Sequence, residues 1–318
     1  MSPTAIPGNL ILQSPTASKL ILVNDQRNPA GDAQITYGIT STGGVFNLRS
    51  TGTVDYEVEW GDGTVERSTS NTLAHTYAAG SYVLKIRTAQ QYVPYFNNST
   101  DEDQITSVAL VSDLDVGTNL TSAWYGANNM TEFNAAFGAT TGVTNFTSTW
   151  RDCSSLTSFP LIDTSSVTSF SNTWQNCSGL TSFPLIDTSI GTTFGSAWNN
   201  CTGLTSFPSI DISRATKFEQ SWRGCTNLTT FPANFFDSWT GTPVNYCLFG
   251  TWLTCTSLTA TSVENILNSI DTSGQSAPAF GPDITIDYNA ASGTPDISTA
   301  VSNLKSRGWT ITLNGVLQ

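Results

Sequence analysis

Residues 146–232 read FTSTWRDCSSLTSFPLIDTSSV (146–167), TSFSNTWQNCSGLTSFPLIDTSI (168–190), GTTFGSAWNNCTGLTSFPSIDIS (191–213) and RATKFEQSWRGCTNLTTFP (214–232). One phrase returns every 24 residues. Trp150, Trp174, Trp198 and Trp222 keep that interval, as do Cys153, Cys177, Cys201 and Cys225, and Phe159, Phe183, Phe207 and Phe231. A fixed period of this length marks a solenoid, in which each coil buries its apolar side against its neighbours.

Within the coil Leu156–Gly179 the large apolar positions are Leu156, Phe159, Ile162, Val167, Phe170, Trp174 and Cys177. Leu156-Thr-Ser-Phe159 is β-prone and stopped by Pro160, which cannot donate to a ladder. Asp163-Thr-Ser-Ser is a turn, because Asx and Ser side chains bond the local backbone. Phe170, Trp174 and Cys177 share one face of a helical turn. The coil is therefore predicted to be a strand, a turn, a second extended piece and a short helix, stacked on its neighbours at about the 4.8 Å strand spacing. Each Trp should lie on the previous Trp and each Cys on the previous Cys, with Asp163, Asp187 and Asp211 as a third ladder at the turn.

The array frays at its ends, as capping coils do. Upstream, Trp124, Met130, Phe133 and Phe146 keep the pattern, Ala127 replaces the cysteine, and Asp113 to Trp124 repeats the spacing of Asp163 to Trp174. Downstream, Trp252, Cys255 and Leu258 form a last coil, 30 residues after Trp222, Cys225 and Leu228. The extra residues fall in FFDSWTGTPVNYCLFG, and such insertions map to loops that often carry function. The C-x-x-L-x-x-F-P phrase at Cys153–Pro160 and the D-T-S-x-V-x-x-F phrase at Asp163–Phe170 resemble BspA-type leucine-rich repeats of bacterial surface and phage proteins. The resemblance covers roughly Ile105 to Leu258.

Working outward, residues 1–25 alternate short apolar pieces (LILQ, KLILV) with Pro, Ser and Asn, and read as strands or as an arm that pairs with another subunit. Val54 to Trp60 alternates faces and runs into the turn Gly61-Asp62-Gly63. His75-Thr-Tyr77 follows, then a further strand, Gly80–Ile86. The set Trp60, Gly61, Asp62, Gly63, His75, Thr76, Tyr77, Gly80, Tyr82 and Ile86 resembles the polycystic-kidney-disease (PKD) type of immunoglobulin-like β-sandwich, with Glu59 where that family usually has aspartate. The resemblance implies a spacer or adhesion module. Gln90 to Asp103 reads as the joint with the solenoid.

Beyond Leu258, Thr261-Ser-Val-Glu264 is a capping box, and Val263, Ile266, Leu267 and Ile270 follow at helical spacing. Ile284–Tyr288 is a strand. Asp296 is placed to cap a second helix with Ile297, Ala300, Val301 and Leu304 on its apolar face. Gly308 ends it, and Trp309–Leu313 is the last strand. The ending Ser306-Arg-Gly-Trp-Thr-Ile-Thr312 resembles the segment that follows such repeats in phage tail and virion proteins. The expected fold is thus mainly β: an N-terminal arm (1–25), a PKD-like Ig sandwich (26–100), a leucine-rich-repeat solenoid of 24-residue coils (101–258) and an α/β C-terminal cap (259–318).

Composition narrows the function classes. A net charge of -12 disfavours nucleic acid and anionic membranes as partners. No apolar run approaches a membrane span, so no membrane insertion is expected. Only 11% of residues are charged, and Ser and Thr carry the polarity, as in extracellular or virion β proteins. MSPTAIPGNLILQ shows no basic n-region and no h-region, so no signal peptide is read there.

Candidate chemistry is sparse. The ladder cysteines, Cys255 included, point inward and are expected to be reduced and structural, although stacked thiols satisfy disulfide distance limits. No second ligand type sits beside them, which disfavours zinc. Cys247 breaks register and should face outward, either exposed or packed in its loop. His75, the sole histidine, is expected to bond a nearby turn. The aspartate ladder is best explained as turn caps, with a calcium ladder as the alternative. Asp101-Glu102-Asp103 is a second calcium candidate, with a solvated acidic joint favoured. The Trp ladder reads as core and not as a sugar platform. Trp239, Tyr246 and Phe249, in the insertion, are the candidate partner contacts. The N-x-S/T triplets, such as those at Asn98 and Asn145, follow from composition. No catalytic, cofactor-binding or metal-ligating residue is expected.

The sequence therefore suggests a non-enzymatic phage virion surface protein, either a head decoration or fibre or a tail-fibre component. It would bind other virion proteins through its N-terminal part and a host surface protein or glycan through the solenoid, with homo-oligomers left open. The alternative is a bacterial cell-surface adhesin. A glycan-cleaving enzyme would need an acid pair that the sequence does not single out.

Overall fold

The computed structural model describes residues 33–52, 55–88, 90–96, 101–111, 114–136 and 138–318. The N-terminal arm, Val54, the stretch from Asn97 to Thr100 and Asp113 lie outside them. The chain is mainly β.

The first unit is built on a long ribbon. Strand β1 (Ala33–Thr51) pairs antiparallel with β4 (Thr72–Thr88) from Ala33↔Thr88 to Arg49↔Thr72. Strands β2 (Tyr56–Glu59) and β3 (Val65–Ser68) lie beyond β4. On the other side of β1 lie β6 (Ile105–Leu110) and β7 (Glu132–Ala135), giving the order β3-β2-β4-β1-β6-β7. The far end of β1 pairs with β5 (Val93–Pro94). The Gly61-Asp62-Gly63 turn falls where the sequence places it. Gly61 has φ 85°, and a Cβ there would sit 2.6 Å from the Val83 carbonyl oxygen, so only glycine fits. The sequence separates His75-Thr-Tyr77 from Gly80–Ile86, but both belong to β4. Gly80 pairs with Ser41 inside the ladder, so the chain does not turn there.

Tyr37, Phe46, Tyr56, Trp60, Tyr92 and Phe96 fill the core of this unit. Tyr92 and Phe96 come from the stretch read as a joint, which is packed and not free-standing. The sheet also crosses the boundary expected at residue 100. β6 is antiparallel to β1, while β7 runs parallel to β6 and carries Phe133 into the first coil. Sheet and coils share one hydrophobic core.

From Leu120 to Cys255 successive segments lie one on another. Trp124, Trp150, Trp174, Trp198, Trp222 and Trp252 form a column with ring centroids 5.4–5.9 Å apart and planes within 20°. Phe133, Phe159, Phe183, Phe207 and Phe231 form a second, 5.8–6.1 Å apart. Rings of the two columns meet at steep angles, 4.7 Å between Trp174 and Phe183. Parallel bridges join Asn119, Asn145, Ser169, Thr193 and Lys217 in turn.

Two local expectations need correction. The piece at Leu156–Phe159 is not a laddered strand. Along it few N–H groups reach the preceding coil, those of Thr181, Thr205, Thr229, Thr230 and Thr259 among them, with a single bridge between Ser206 and Thr230, and the proline that follows each piece has no N–H to give. The short helix at Phe170–Cys177 is instead a run of turns. Asn172 (φ 55°) and Asn176 (φ 62°) are left-handed, two residues before and after Trp174. Ser148 and Asp152, Ser196 and Asn200, Gln220 and Gly224, and Gly250 and Thr254 repeat this around their own tryptophans. A left-handed residue every fourth position stops a helix. It also splits the amides into two sets. The N–H groups of Phe170, Asn172, Trp174 and Asn176 donate to carbonyls of the next coil, at 2.7–2.9 Å, while those of Thr173, Gln175 and Cys177 bond three residues back.

The C-terminal unit closes the stack. Helix α1 (Ala260–Ser273) starts two residues before the predicted box, with Thr259 as its cap accepting the Ser262 N–H. Glu264 instead accepts the Asp296 N–H, so it does not complete the box. Strand β8 (Asp283–Ile286) runs parallel to β9 (Thr310–Leu313), with α2 (Ser298–Ser306) between them in sequence. Asp296 does not cap α2, whose Ncap is Ile297 with no side-chain bond. A further strand, β10 (Val316–Leu317), returns through Asn314-Gly315, both left-handed. Ser262 Oγ donates to Thr229 O and accepts the Phe231 N–H, both at 3.0 Å, and so ties α1 to the last coils.

Candidate functional site

The groups with chemical reach are engaged in holding the chain together. Each ladder thiol donates to a tryptophan carbonyl of the preceding coil: Cys153 to Trp124, Cys177 to Trp150, Cys201 to Trp174, Cys225 to Trp198 and Cys255 to Trp222, at 2.9–3.3 Å. All six cysteines are free and buried. Burial pushes the thiols up, to about 12 for Cys247 and Cys255, so they remain protonated and unreactive at neutral pH. Cys247 is buried, which agrees with the loop-packed reading and not with an exposed thiol.

Asp163, Asp187 and Asp211 accept the N–H groups of Ser165, Ser189 and Ser213 at 3.1, 3.0 and 2.8 Å, in Asx turns. Hydrogen bonds from the Ser165 and Thr141 hydroxyls and from the Ser165 N–H hold the Asp163 carboxyl below its usual value. His75 Nε2 lies 2.8 Å from Asp62 Oδ2 in the Gly61–Gly63 turn, and its ring stacks on Trp60 at 4.5 Å. The hydroxyl and N–H of Thr64, then His75, lower the Asp62 carboxyl to about 2.

Asp101, Glu102 and Asp103 do not converge as a cation site would require. Asp101 is buried and accepts from the Asn47 amide groups and Arg49 Nη2, each near 3.1 Å, whereas Asp103 accepts from Asn128 Nδ2. Among the described residues no group of three or more His, Cys, Asp or Glu is placed to hold a metal ion. No described helix is long and apolar enough to cross a membrane. A cleft of about 540 Å³ lies between the bend of β1 at Thr40–Val45 and Asp103, Gln104, Thr106 and Asn129.

The candidate contact residues divide. Trp239 is core: it is 1% exposed, its indole N–H donates to Ala215 O at 2.6 Å, and its ring meets Phe218 and Phe236. Register-breaking in sequence was the reason to expect it outside. The insertion instead folds back on the preceding coil, with Gly241 so close that a Cβ would lie 2.0 Å from Ala215 O. Tyr246 and Phe249 do face solvent, at 47% and 41% exposure, with ring centroids 6.0 Å apart at 85°. Beside them stands Phe280, 63% exposed, whose carbonyl accepts the Tyr246 N–H at 2.9 Å. Phe280 was not singled out in sequence. A lone aromatic in Ala279-Phe-Gly-Pro282, with no periodic partner, was the available signal. Compared with protein-family models, curated proteins and solved structures, the chain gives no match.

Proposed function

We propose that the chain is a non-enzymatic surface protein of a phage particle, a head decoration or fibre or a tail-fibre component. In this reading a PKD-like sandwich anchors to other virion proteins, and a leucine-rich-repeat solenoid presents its outer face to a host surface protein or glycan. The observation that carries it is the commitment of the reactive side chains. The ladder thiols bond tryptophan carbonyls, the aspartate ladder caps turns and His75 bonds a turn carboxylate, so these groups serve shape rather than turnover. The resemblances at Cys153–Phe170, Trp60–Ile86 and Ser306–Thr312 support the virion setting.

Mass spectrometry and cryo-electron microscopy of purified particles test the proposal. Many ordered copies on the shell make the chain a decoration protein, and copies confined to the tail make it a receptor-binding part. Absence from particles overturns the virion reading in favour of a cell-surface adhesin.

A further inference from the structure

The long coil that ends the stack carries a backbone outlier. Tyr246 has φ 61°, the left-handed region, where every other non-glycine among the described residues is Asn, Asp, Ser, Thr or Gln. A bulky ring there is strained, and such strain collects at binding sites. The surroundings hold the ring in place. Its N–H donates to Phe280 O, and the ring lies against Gly281, where a Cβ would come 2.2 Å from Tyr246 Cδ1. Gly281 thus leaves room for the seat. Phe249 stands at right angles to Tyr246, and the exposed Phe280 adjoins them through its backbone carbonyl. The result is an exposed aromatic corner supported from beneath.

The rim is polar. On the preceding coil Lys217 Nζ and Glu219 Oε2 are paired at 2.7 Å, and the Gln220 N–H donates to Phe249 O. We infer that this corner stacks on the apolar C–H face of a pyranose ring, with Glu219, Lys217 and Gln220 the adjoining groups for its hydroxyls. The inference rests on the surface-binding reading above and names the ligand class. A sugar fits better than a protein, because a stable protein interface buries about 800 Å² per partner, far more apolar contact than this small aromatic corner supplies. A stacked nucleobase is opposed by the net charge of -12, which repels its phosphates. An amphipathic ring matches an aromatic face edged by charged and amide groups.

Saturation-transfer NMR on the whole chain, with millimolar methyl glycosides of glucose, galactose, mannose and N-acetylglucosamine, tests it. Ring protons of at least one glycoside should be saturated, and Phe249→Ser and Tyr246→Asn should cut the transfer at least fivefold. Leu185→Ser, at an exposed site one coil before that of Phe249's neighbour Glu219, should leave it unchanged. Tyr246→Asn should also raise Tm, because asparagine suits a left-handed backbone. A fall in Tm with transfer unchanged would make Tyr246 a structural ring and overturn the inference. So would the absence of transfer to all four glycosides. If Phe249→Ser abolishes attachment to cells while no glycoside is saturated, the sugar is overturned and surface binding stands. Transfer by a chain that is absent from particles upholds the corner and overturns only the virion setting.

Discussion

Thr173 shows what a single side chain does in the stack. Its hydroxyl donates to Phe146 O, one coil back, at 2.9 Å in the buried interior. Thr149, Ser221 and Thr251 make the same bond to Leu120, Phe194 and Phe218. Ala197 occupies the equivalent place and leaves Phe170 O without that donor. Thr173→Val should therefore cost about 1 kcal/mol, and Ala197→Ser should recover a fraction of that, both read from urea midpoints. The thiols give a pH signature. Cys255 is raised by burial to about 12 in the folded chain, against about 8.5 when unfolded. Below the unfolded value both states hold the proton and stability is full. Between the two values the unfolded chain binds fewer protons, so stability falls as pH rises, by about 1.4 kcal/mol per unit for each such thiol. Urea midpoints should drop from pH 8.5 to 10, and Cys255→Ala should shallow that slope. Above pH 10 the buried hydroxyls of Tyr37 and Tyr92, also raised by desolvation, steepen the loss. The ladder residues were legible in sequence because each sits in the same surroundings once per coil. The thiol–carbonyl bonds were not, since periodicity places a side chain without saying what its polar atom meets.

At the scale of the element, the spacing of Phe170, Trp174 and Cys177 fits both a helical turn and a run of turns that keeps the same three side chains inside. The clue that separates them is what stands at the intervening positions. Asn172, Asn176 and Asn200 belong to the few residue types that favour left-handed backbone, although Ser196 does not. Close approach between coils is the other element-level constraint. A Cβ on Gly203 would come 2.6 Å from the Ser178 and Leu180 carbonyl oxygens, neither of which can move independently of its coil. Gly203→Ala should destabilise by about 1–3 kcal/mol, with far-UV circular dichroism retained and the melting transition lowered. The capping of α1 slipped by two residues for a related reason. Thr259 and Thr261 are chemically equal candidates, and only docking on Thr229 and Phe231 selects the first.

For the whole molecule, the decisive property is a core that runs without a break from Ile35 to Leu313. The boundaries legible in the sequence mark changes of pattern, not gaps in packing. β6 shows this, since it pairs with β1 on one side and, over Ser107–Leu110, with β7 on the other. Cooperation across these junctions follows. A chain ending at Leu258 lacks α1, β8 and the serines that bond the Thr229–Phe236 backbone, and it uncovers Trp252. It should associate and bind a hydrophobic dye, whereas the full chain should remain dispersed, a contrast read by light scattering. Trp239 was misplaced for a whole-molecule reason too. An insertion lengthens the chain locally, but whether its aromatics point outward depends on the neighbouring coil it meets.

The amides of the turn runs have a consequence of another kind. In each complete coil four N–H groups of the turn run point toward the C-terminal end. The last coil shows how that end is finished: the Thr254 N–H donates to the Asp287 carboxylate at 2.7 Å, so a negative charge sits where amide hydrogens would otherwise face outward. Along the turn runs the column is thus one-way, with carbonyls facing its beginning and amides its end, although amides such as those of Thr168 and Thr192 point back on another face. Copies stripped of their closing units would join beginning to end, and a filament built from them would be polar, growing by different chemistry at its two tips.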